Sequence, residues 1–585
     1  MIKFKLKNKD EVLKGRVVGS YKKTSKYKNW KHVKLENDLL MEFDFENDVE
    51  MWNSVADDEP ESIQDEDVEE HEMFPVNIVP KSDYNKPEIV NAINAEIEKF
   101  KSFEAFEEVT DRGQECIPTR WVITKQKDDG KNAPYKARLC MRGDLEIGKE
   151  KLRADAPTAS KEALKIALMI SANENFKVKA GDIKSAFLQG EKMTRALYVK
   201  PPKEAKADGV LWQLVQGAYG ILDGGRLFYL RLASELIKLG MHQIHSEGAL
   251  FSFVKEGKLH GIVVTNTDDL ILAGDDVFEK EITEKLQEIF RFSKIETNTF
   301  TYCGSKITIH EDGKIELDQN SYIDNLKEVD EFSTDEIRKL TEKEKRILRG
   351  KIGELLWISL ITRPDLSFDV NSVSSMIGDG STSLVKVVNS LVKRAHATRN
   401  ILRFIRLGDI SELTVKVFAD ASFSNSEDKI RSTEGRVILL CNEKSGDVNV
   451  CSWKTKKIAR VCRSVKAAET RSLEEAVDDA VNTARIIREI YKGDVDLKSP
   501  DQIPVKAYTD SKSLWESLHN SRQCEEKILR CSIASMKELM EMGMVSDVHW
   551  VPTKNQLADC LTKTGKRAEW LLKVATRNSL SFFSH

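Results

Sequence analysis

No Cys-x-x-Cys pair occurs among the nine cysteines of this 585-residue sequence. That spacing excludes a zinc knuckle and a disulfide framework, and it points to a reducing intracellular setting. No run of about 18 apolar residues marks a membrane span. Met1 opens onto IKFKLKNKDEVLKG, which lacks the apolar core and small-residue cleavage site of a secretory signal. There is no internal repeat. What remains is a chain with 40% hydrophobic and 32% charged residues, enough for several cores, and its length suggests roughly four domains.

The formal net charge of -4 hides an asymmetry. Lysine is dense from Lys3 to Lys34, whereas ADDEPESIQDEDVEEHE, from Ala56 to Glu72, carries no lysine or arginine. The basic arm reads either as a solvated surface or as a nucleic-acid contact, and the acidic block as a linker, because like charges repel and little in it can form a core. Before the linker, IKFKLKN, GRVVGSY and HVKLEND alternate as short strands of a small β module. After it, EIVNAINAEIEKFKSF has helical spacing with Ile89, Ala92, Ile93 and Ile97 on one face. RWVITKQKDDGKNAPYKARLCMRGD reads as two strands around an Asp128-Asp129-Gly130 turn, ALKIALMISANEN as a buried helix, and FKVKAGDIKSAF as a strand ending in a bend. From Ser411 a new rhythm begins: strands LTVKVFAD, GRVILLC and VNVCSWK, a long helix from about Lys466 to Tyr491, strand VKAYTD, a helix, strand DVHWVP and a last helix. Such a succession is an α/β layout that could fold alone.

Paired carboxylates interrupt the apolar run GIVVTNTDDLILAG, from Gly261 to Gly274, at Asp268 and Asp269. Alone, they read as the tip of a β-hairpin. Their weight changes beside Asp182 in KAGDIKSAFLQG, where alternation puts Val178 and Ala180 on the same strand face. Nucleotidyl transfer needs hard oxygen ligands for two Mg²⁺ ions, about 4 Å apart, that clamp the attacking hydroxyl and the leaving pyrophosphate. Three aspartates from two segments suit that task.

Six segments in this order, RWVITKQKDDGKNAPYKARLCMRGD, DAPTASKEALKIALM, GDIKSAFLQGEKMTRALYVKPP, LWQLVQGAYGILDGGRLFY, NTDDLILAG and LLWISLITRPDLSFDV, resemble the reverse transcriptase of copia-type LTR retrotransposons. The resemblance runs from about Glu88 to the C-terminus. It implies that Asp182, Asp268 and Asp269 are metal-binding catalytic residues of a polymerase palm. It also implies that Phe187 is the gate under the incoming sugar that excludes a 2′-hydroxyl. Lys136, Arg138 and Arg142 become candidates for gripping the triphosphate, since alternation would set all three on one strand face. Tyr219, Gly220 and Arg226 would line the nucleotide and template pocket. Two departures stand out. Asn266 and Thr267 replace the family's usual aromatic and small apolar pair before the aspartates, and Leu222-Asp223-Gly224-Gly225-Arg226 replaces Leu-Lys-Gln-Ala-Pro-Arg. Glycine pairs loosen the backbone, and losing the aromatic removes packing under the primer end.

The C-terminal unit carries Asp420 at the end of LTVKVFAD, Glu469 in VKAAETRSLEEA, Asp510 ending VKAYTD and Asp559 in NQLADCLTK. Taken singly they read as a strand-end turn, an exposed helix face, an N-cap and a solvated first-turn charge. Together they reproduce the Asp, Glu, Asp, Asp order of the ribonuclease H fold, whose four carboxylates hold two Mg²⁺ ions for hydrolysis of RNA. WKTKKIARVCRSVKAAET and QLADCLTK extend the copia resemblance and fix the register of Glu469 and Asp559. No histidine lies between Trp550 and Asp559, unlike many cellular relatives.

The expected fold is therefore multidomain, α+β and α/β: a right-hand polymerase with fingers, palm and thumb, then a ribonuclease H-like α/β domain, with a small N-terminal β module. Expected boundaries are 1–55 for the basic module, 56–80 for the acidic linker, 81–300 for fingers and palm, 301–410 for thumb and connection, and 411–585 for the nuclease. In this family the basic module stands where the integrase C-terminal tail would be, and no His-His-Cys-Cys constellation, integrase core or Asp-Ser/Thr-Gly protease motif accompanies it, which suggests a fragment of a longer Pol product. The implied activity is RNA-directed DNA synthesis with removal of the RNA strand. Its cofactor is Mg²⁺, two ions per active site. Its partners are an RNA template, a nucleic-acid primer, the RNA/DNA hybrid, deoxynucleoside triphosphates, and the element's integrase and capsid protein, with no membrane. The family implies a cytoplasmic virus-like particle, with later nuclear entry of the DNA copy. The rival is a catalytically decayed, element-derived nucleic-acid-binding or assembly protein.

Overall fold

A computed structural model describes residues 78–125, 135–330, 332, 336–424, 430–493, 503–520, 524, 526–565 and 568–580, and the backbone of five strands nearer the N-terminus. Most of the acidic linker and the Asp128-Asp129-Gly130 turn lie outside the described residues. The chain divides into two units, Met1–Pro75 and Val76–His585. In the first, strands Leu40–Asp44, Trp30–Leu35, Val12–Ser20, Ile2–Leu6 and Val49–Ser54 form, in that spatial order, one antiparallel sheet.

The second unit is built around a six-stranded antiparallel sheet in the order His242–Gln243, Leu250–Lys255, Lys258–Asn266, Asp269–Gly274, Lys177–Ile183 and Phe292–Thr297. Apolar residues on both faces of its central strands demand cover on both sides. One side receives the helix Lys161–Glu174, whose N-terminus is capped by Ser160 accepting from the Ala163 amide at 3.0 Å. Eleven consecutive residues of this helix, Ala163–Asn173, are buried, Lys165, Ser171 and Asn173 among them, so it is a helix buried all round rather than an amphipathic one. The other side receives Phe278, which lies over a gap made by two glycines. Gly261 and Gly274 face each other across the ladder, and a Cβ on either would fall 2.2 and 2.4 Å from the Phe278 ring.

Before this sheet, the helix Pro87–Ser102 buries Ile89, Ile93, Ile97 and Phe100. It packs near the two-stranded ribbon Thr119–Lys125 and Tyr135–Met141. After it come a four-stranded sheet, Thr299–Tyr302, Ser305–Ile309, Ile315–Asp318 and Ile401–Phe404, and a three-helix layer, Glu342–Ile361, Ser367–Met376 and Leu384–Ala397. Thr341 and Glu344 close a capping box at the start of the first of these helices. Fully buried Arg363 binds Asp365 through two bonds of 2.8 Å and donates to the carbonyls of Ala395 (2.8 Å) and Thr398 (2.7 Å). Its charge is thereby paired and its donors satisfy the orphan carbonyls at a helix C-terminus.

From residue 413 the strands Leu413–Ser422, Thr433–Asn442 and Val448–Lys457 form an antiparallel meander. Strands Val505–Thr509 and Asp547–Trp550 then add in parallel on the other side of the first, giving the order 3-2-1-4-5. The long helix Val465–Lys492 crosses between the third and fourth strands. The sequence suggested one helix between VKAYTD and DVHWVP; the structure has two, Lys512–His519 and Arg530–Glu541, because Asn520 after the first adopts extended backbone and ends it. This strand order with these crossovers is the ribonuclease H-like fold, and the antiparallel sheet before it with its flanking layers is the polymerase hand. One apolar cluster runs from the helix Lys161–Glu174 through the nuclease strands.

Candidate active sites

The hairpin tip places the paired aspartates. Asn266 and Asp269 are the last ladder partners, leaving Thr267 and Asp268 as a two-residue loop. Thr267 has φ +55°, a left-handed conformation that a β-branched residue resists. On the other side, Asp269 is the ladder partner of Asp182, and the Ile183 amide donates to the Asp268 carbonyl at 2.9 Å. Backbone pairing alone thus brings three carboxylates from two distant segments together along the edge where these two interior strands end. Burial, then the charges of Asp268 and Asp182, push the Asp269 carboxyl up to about 6. Asp268 is raised as well, first by burial and further by Asp182. Asp182 accepts from the Ser293 hydroxyl. The three do not close within 4.8 Å of one another, as two other sets among the described residues do.

Around this edge the remaining candidates fall into two groups. Lys136 and Arg138 point to one side of the strand Tyr135–Met141, and their charges favour the ionised form of Asp268. Lys136 is itself held below the ordinary lysine range, first by burial and then by Arg138 and Lys99. Phe187, on the short turn Ala186–Gln189, lies with its ring centroid 5.2 Å from that of Tyr219. Gly220 has φ +90° and a Cβ there would lie 2.1 Å from the Met141 carbonyl, so the Tyr219-Gly220 bend is pressed against the strand Tyr135–Met141 as only glycine permits. Arg142 and Arg226 are engaged elsewhere. The strand ends at Met141, and Arg142 turns onto Asp144 with bonds of 2.9 and 2.8 Å. Strand alternation therefore does not carry Arg142 onto the face of Lys136 and Arg138. Arg226 donates to Asp155, at 2.9 Å to its carbonyl and 2.7 Å to its carboxylate.

Arg195 escaped sequence reasoning. Its guanidinium bridges Glu146 (2.6 and 3.1 Å) and Asp223 (2.6 and 3.0 Å), two carboxylates that are each 8% exposed. Asp223 belongs to the segment that departs from the family pattern, and a partner 28 residues away makes it a clamp. Beside it Gly224 opens the helix Gly224–Lys238, and a Cβ there would lie 2.9 Å from the Ala218 carbonyl. Asn266, the other departure, donates to Cys303 Sγ at 2.5 Å. Neither pairing has a local signal in the sequence.

In the nuclease fold, Asp420 lies on the central strand Leu413–Ser422 and is 1% exposed. Glu469 faces it from the long helix, held by Ser472 Oγ donating to the Asp420 carbonyl at 2.7 Å. Asp510 follows the parallel strand Val505–Thr509, and its carbonyl accepts from Trp550 Nε1 at 3.0 Å. Oxygens of Asp420, Glu469 and Asp510 all lie within 4.8 Å of one another. Asp559 sits on the buried turn Leu557–Leu561, seated because Gly435, the ladder partner of Asp420, leaves room for it; a Cβ at Gly435 would fall 2.8 Å from Leu561 and Thr562. Burial of Glu469 and Asp559, at 6% and 8% exposed, rules out the solvated-charge readings of both. Asp420 and Glu469 are both raised, primarily by burial and further by neighbouring carboxylates.

Lys563 also went unnoticed in the sequence. Its Nζ lies 2.6 Å from Asp559 Oδ1 and 3.7 Å from Asp420 Oδ2. Burial opposes its charge, yet Asp420, Asp559 and Asp510 hold its pKa above the ordinary range. The signal available was its position four residues after Asp559. Divalent cations fit this site: the donors are hard oxygens, and Glu469 Oε2 is buried without a hydrogen-bond partner. The palm aspartates fit by the same chemistry, three adjacent carboxylates of which two are raised.

Fold and site define a class: a right-hand polymerase followed by a ribonuclease H-like domain. Residues 104–341 match the family model described as reverse transcriptase (RNA-dependent DNA polymerase). The chain is 24% identical over 468 residues to the retrovirus-related Pol polyprotein from transposon RE1 of Arabidopsis thaliana, covering 76% of this chain and 30% of that one. It is 23% identical over 525 residues to the corresponding polyprotein from transposon TNT 1-94 of Nicotiana tabacum, covering 83% and 37%. The foamy viral protease-reverse transcriptase solved with double-stranded DNA aligns over 79% of this chain and 69% of that one, at 12% identity and a TM-score of 0.48. The chain is thus similar to copia-type retrotransposon Pol polyproteins across its polymerase-like and ribonuclease H-like regions, and it spans about a third of the length of these two polyproteins. Among the described residues no helix is long and apolar enough to cross a membrane.

Proposed function

We propose that this chain is an RNA-directed DNA polymerase with ribonuclease H activity, which copies a retrotransposon RNA into DNA and degrades the RNA strand of the hybrid. The observation that carries the reading is the double convergence of carboxylates from segments remote in sequence, with Asp268, Asp269, Asp420 and Glu469 all held above the ordinary carboxylate range. In this reading Asp182, Asp268 and Asp269 hold Mg²⁺ at the polymerase site, and Asp420, Glu469, Asp510 and Asp559 hold it at the nuclease site. Bound there, Mg²⁺ supplies charge neutralisation for in-line displacement at phosphorus. Lys136 and Arg138 extend positive potential from the fingers toward Asp268, where a nucleoside triphosphate would bring its phosphates. Phe187 and Tyr219 form an aromatic floor whose bulk would meet a 2′-hydroxyl. Arg142 and Arg226, committed to Asp144 and Asp155, reach the nucleotide only if those pairs open. Lys563 draws Asp559 toward Asp420 and holds the cluster together before cations arrive.

The proposed modules follow the expected boundaries, with the fingers and palm at 81–300, the thumb and connection at 301–410 and the nuclease at 411–585. RNA template, primer, hybrid and deoxynucleoside triphosphates are the proposed ligands. Integrase and capsid protein of the same element are the proposed partners, within a cytoplasmic virus-like particle. The rival reading, a non-catalytic nucleic-acid-binding or assembly protein, draws on Lys563 neutralising the nuclease cluster from within. One purified sample decides between them. With Mg²⁺, the chain is expected to extend a DNA primer on RNA and to cut the RNA of a hybrid. Asp268→Asn should abolish extension and spare cutting, and Asp420→Asn the reverse. Neither activity in the parent chain, or both lost together in either variant, overturns the two-site reading.

A further inference from the structure

A third cluster lies away from both carboxylate sets, where the hand meets the nuclease. Glu489 projects from the last turn of the helix Val465–Lys492 and is 2% exposed. Its Oε1 lies 2.9 Å from His242 Nε2 and 2.5 Å from His245 Nδ1, and it accepts from the His245 amide at 2.8 Å. His242 opens the edge strand His242–Gln243 of the six-stranded sheet, and His245 lies two residues beyond its end. One ligand atom from each of the three residues lies within 4.8 Å of the other two.

The electrostatics of Glu489 call for a cation. A carboxylate removed from water needs a compensating charge, and the negative end of a helix dipole adds to that need. Among the described residues its ion-pair partners are the two imidazoles. Arg485, one turn earlier, turns its guanidinium to Met544 Sδ at 3.7 Å. Two imidazole nitrogens and one carboxylate oxygen are the donor set of a first-row transition ion, whereas Mg²⁺ prefers oxygens throughout. His245, with a side chain 56% exposed, keeps one side open to solvent.

We propose that His242 Nε2, His245 Nδ1 and the Glu489 carboxylate bind a divalent transition ion, Zn²⁺ by class, with water as the fourth ligand. Distances of about 2.0–2.2 Å to each donor require only that the three groups open around a central ion. Each ring would bind the ion in its neutral form with its remaining proton on the other nitrogen, and any proton carried by an imidazolium would pass to solvent as the ion enters. The ion would staple an edge strand of the hand to the nuclease helix and thereby fix the orientation of one module on the other. Its chemistry is distinct from that of the Mg²⁺ sites.

The test uses the whole chain, stripped with a chelator and then saturated with Mg²⁺ so that the carboxylate clusters are filled. Titration with Zn²⁺ against a chromophoric chelator should show one equivalent bound per chain, and Co²⁺ in its place should give the visible absorption of a tetrahedral site. His245→Ala, at a half-exposed position, should weaken binding by at least about 100-fold, since losing a mere supporting partner already costs about 10–100-fold. Glu489→Gln should do the same. Absence of stoichiometric Zn²⁺ in the parent chain, or unchanged affinity in His245→Ala, overturns the site and leaves a hydrogen-bonded histidine pair. Because the readout is binding, it stands or falls independently of either catalytic activity.

Discussion

Lys165 makes a buried charge measurable. It lies on the helix Lys161–Glu174 at 2% exposure, its Nζ 3.5 Å from the Trp453 ring centroid and 3.1 Å from the Leu360 carbonyl it donates to. Burial lowers its pKa from the ordinary 10.5 to about 7. That fall places about 5 kcal/mol against the charged form. Lys165→Met fills the same volume without the charge and should therefore stabilise the chain by up to about 5 kcal/mol near pH 6. The pH dependence follows from linkage. Below pH 7 both folded and unfolded lysines are protonated and the penalty is complete. Between about 7 and 10.5 the unfolded chain binds more protons, so stability of the parent rises with pH, and the advantage of the variant shrinks. Urea midpoints of the two proteins at pH 6 and pH 9.5 measure this. A variant that is less stable by the same amount at both values would show that the Trp453 face outweighs desolvation and would refute the reasoning.

Phe187→Ala should raise ribonucleotide incorporation by about 10-fold or more relative to deoxyribonucleotide, the scale of a steric discrimination in a pocket; unchanged selectivity in single-nucleotide extension removes Phe187 from the gate. Arg195→Met leaves Glu146 and Asp223 buried without their cation and should cost about 3 kcal/mol. Arg195→Lys should recover little of that, because a point charge cannot serve two carboxylates in fork geometry, and a chemical-denaturation midpoint equal to the parent's in either variant contradicts the clamp.

Much of the site was legible because its residues obey local rules. Asp268 and Asp269 break an apolar run at a hairpin tip, Asp510 follows directly on a strand, and the ordered motifs around them have no bland explanation in common, although the strand of Asp420 runs on to Ser422 rather than turning at the aspartate. The strands and helices of both modules follow from periodicity, since the pattern that buries one face also fixes the element. Misreadings arose where a partner far along the chain overrode local preference. Glycines at 224 and 225 looked like a loosened loop until the approach of the Ala218 carbonyl and the Arg195 bridge appeared. Arg142 left its expected face because the strand stops one residue before it and Asp144 waits on the turn.

By itself, then, the sequence determined which residues carry charge, which faces must be buried and in what order the elements run, because each of these is a property of neighbours in the chain. Only the tertiary structure decided which charges meet: Asp182 with Asp269, Asp420 with Glu469 and Asp510, Lys563 with Asp559, and two histidines with Glu489 244 and 247 residues away. The physical reason is that pairing energies depend on distance and burial, and neither exists until strands register and helices cross.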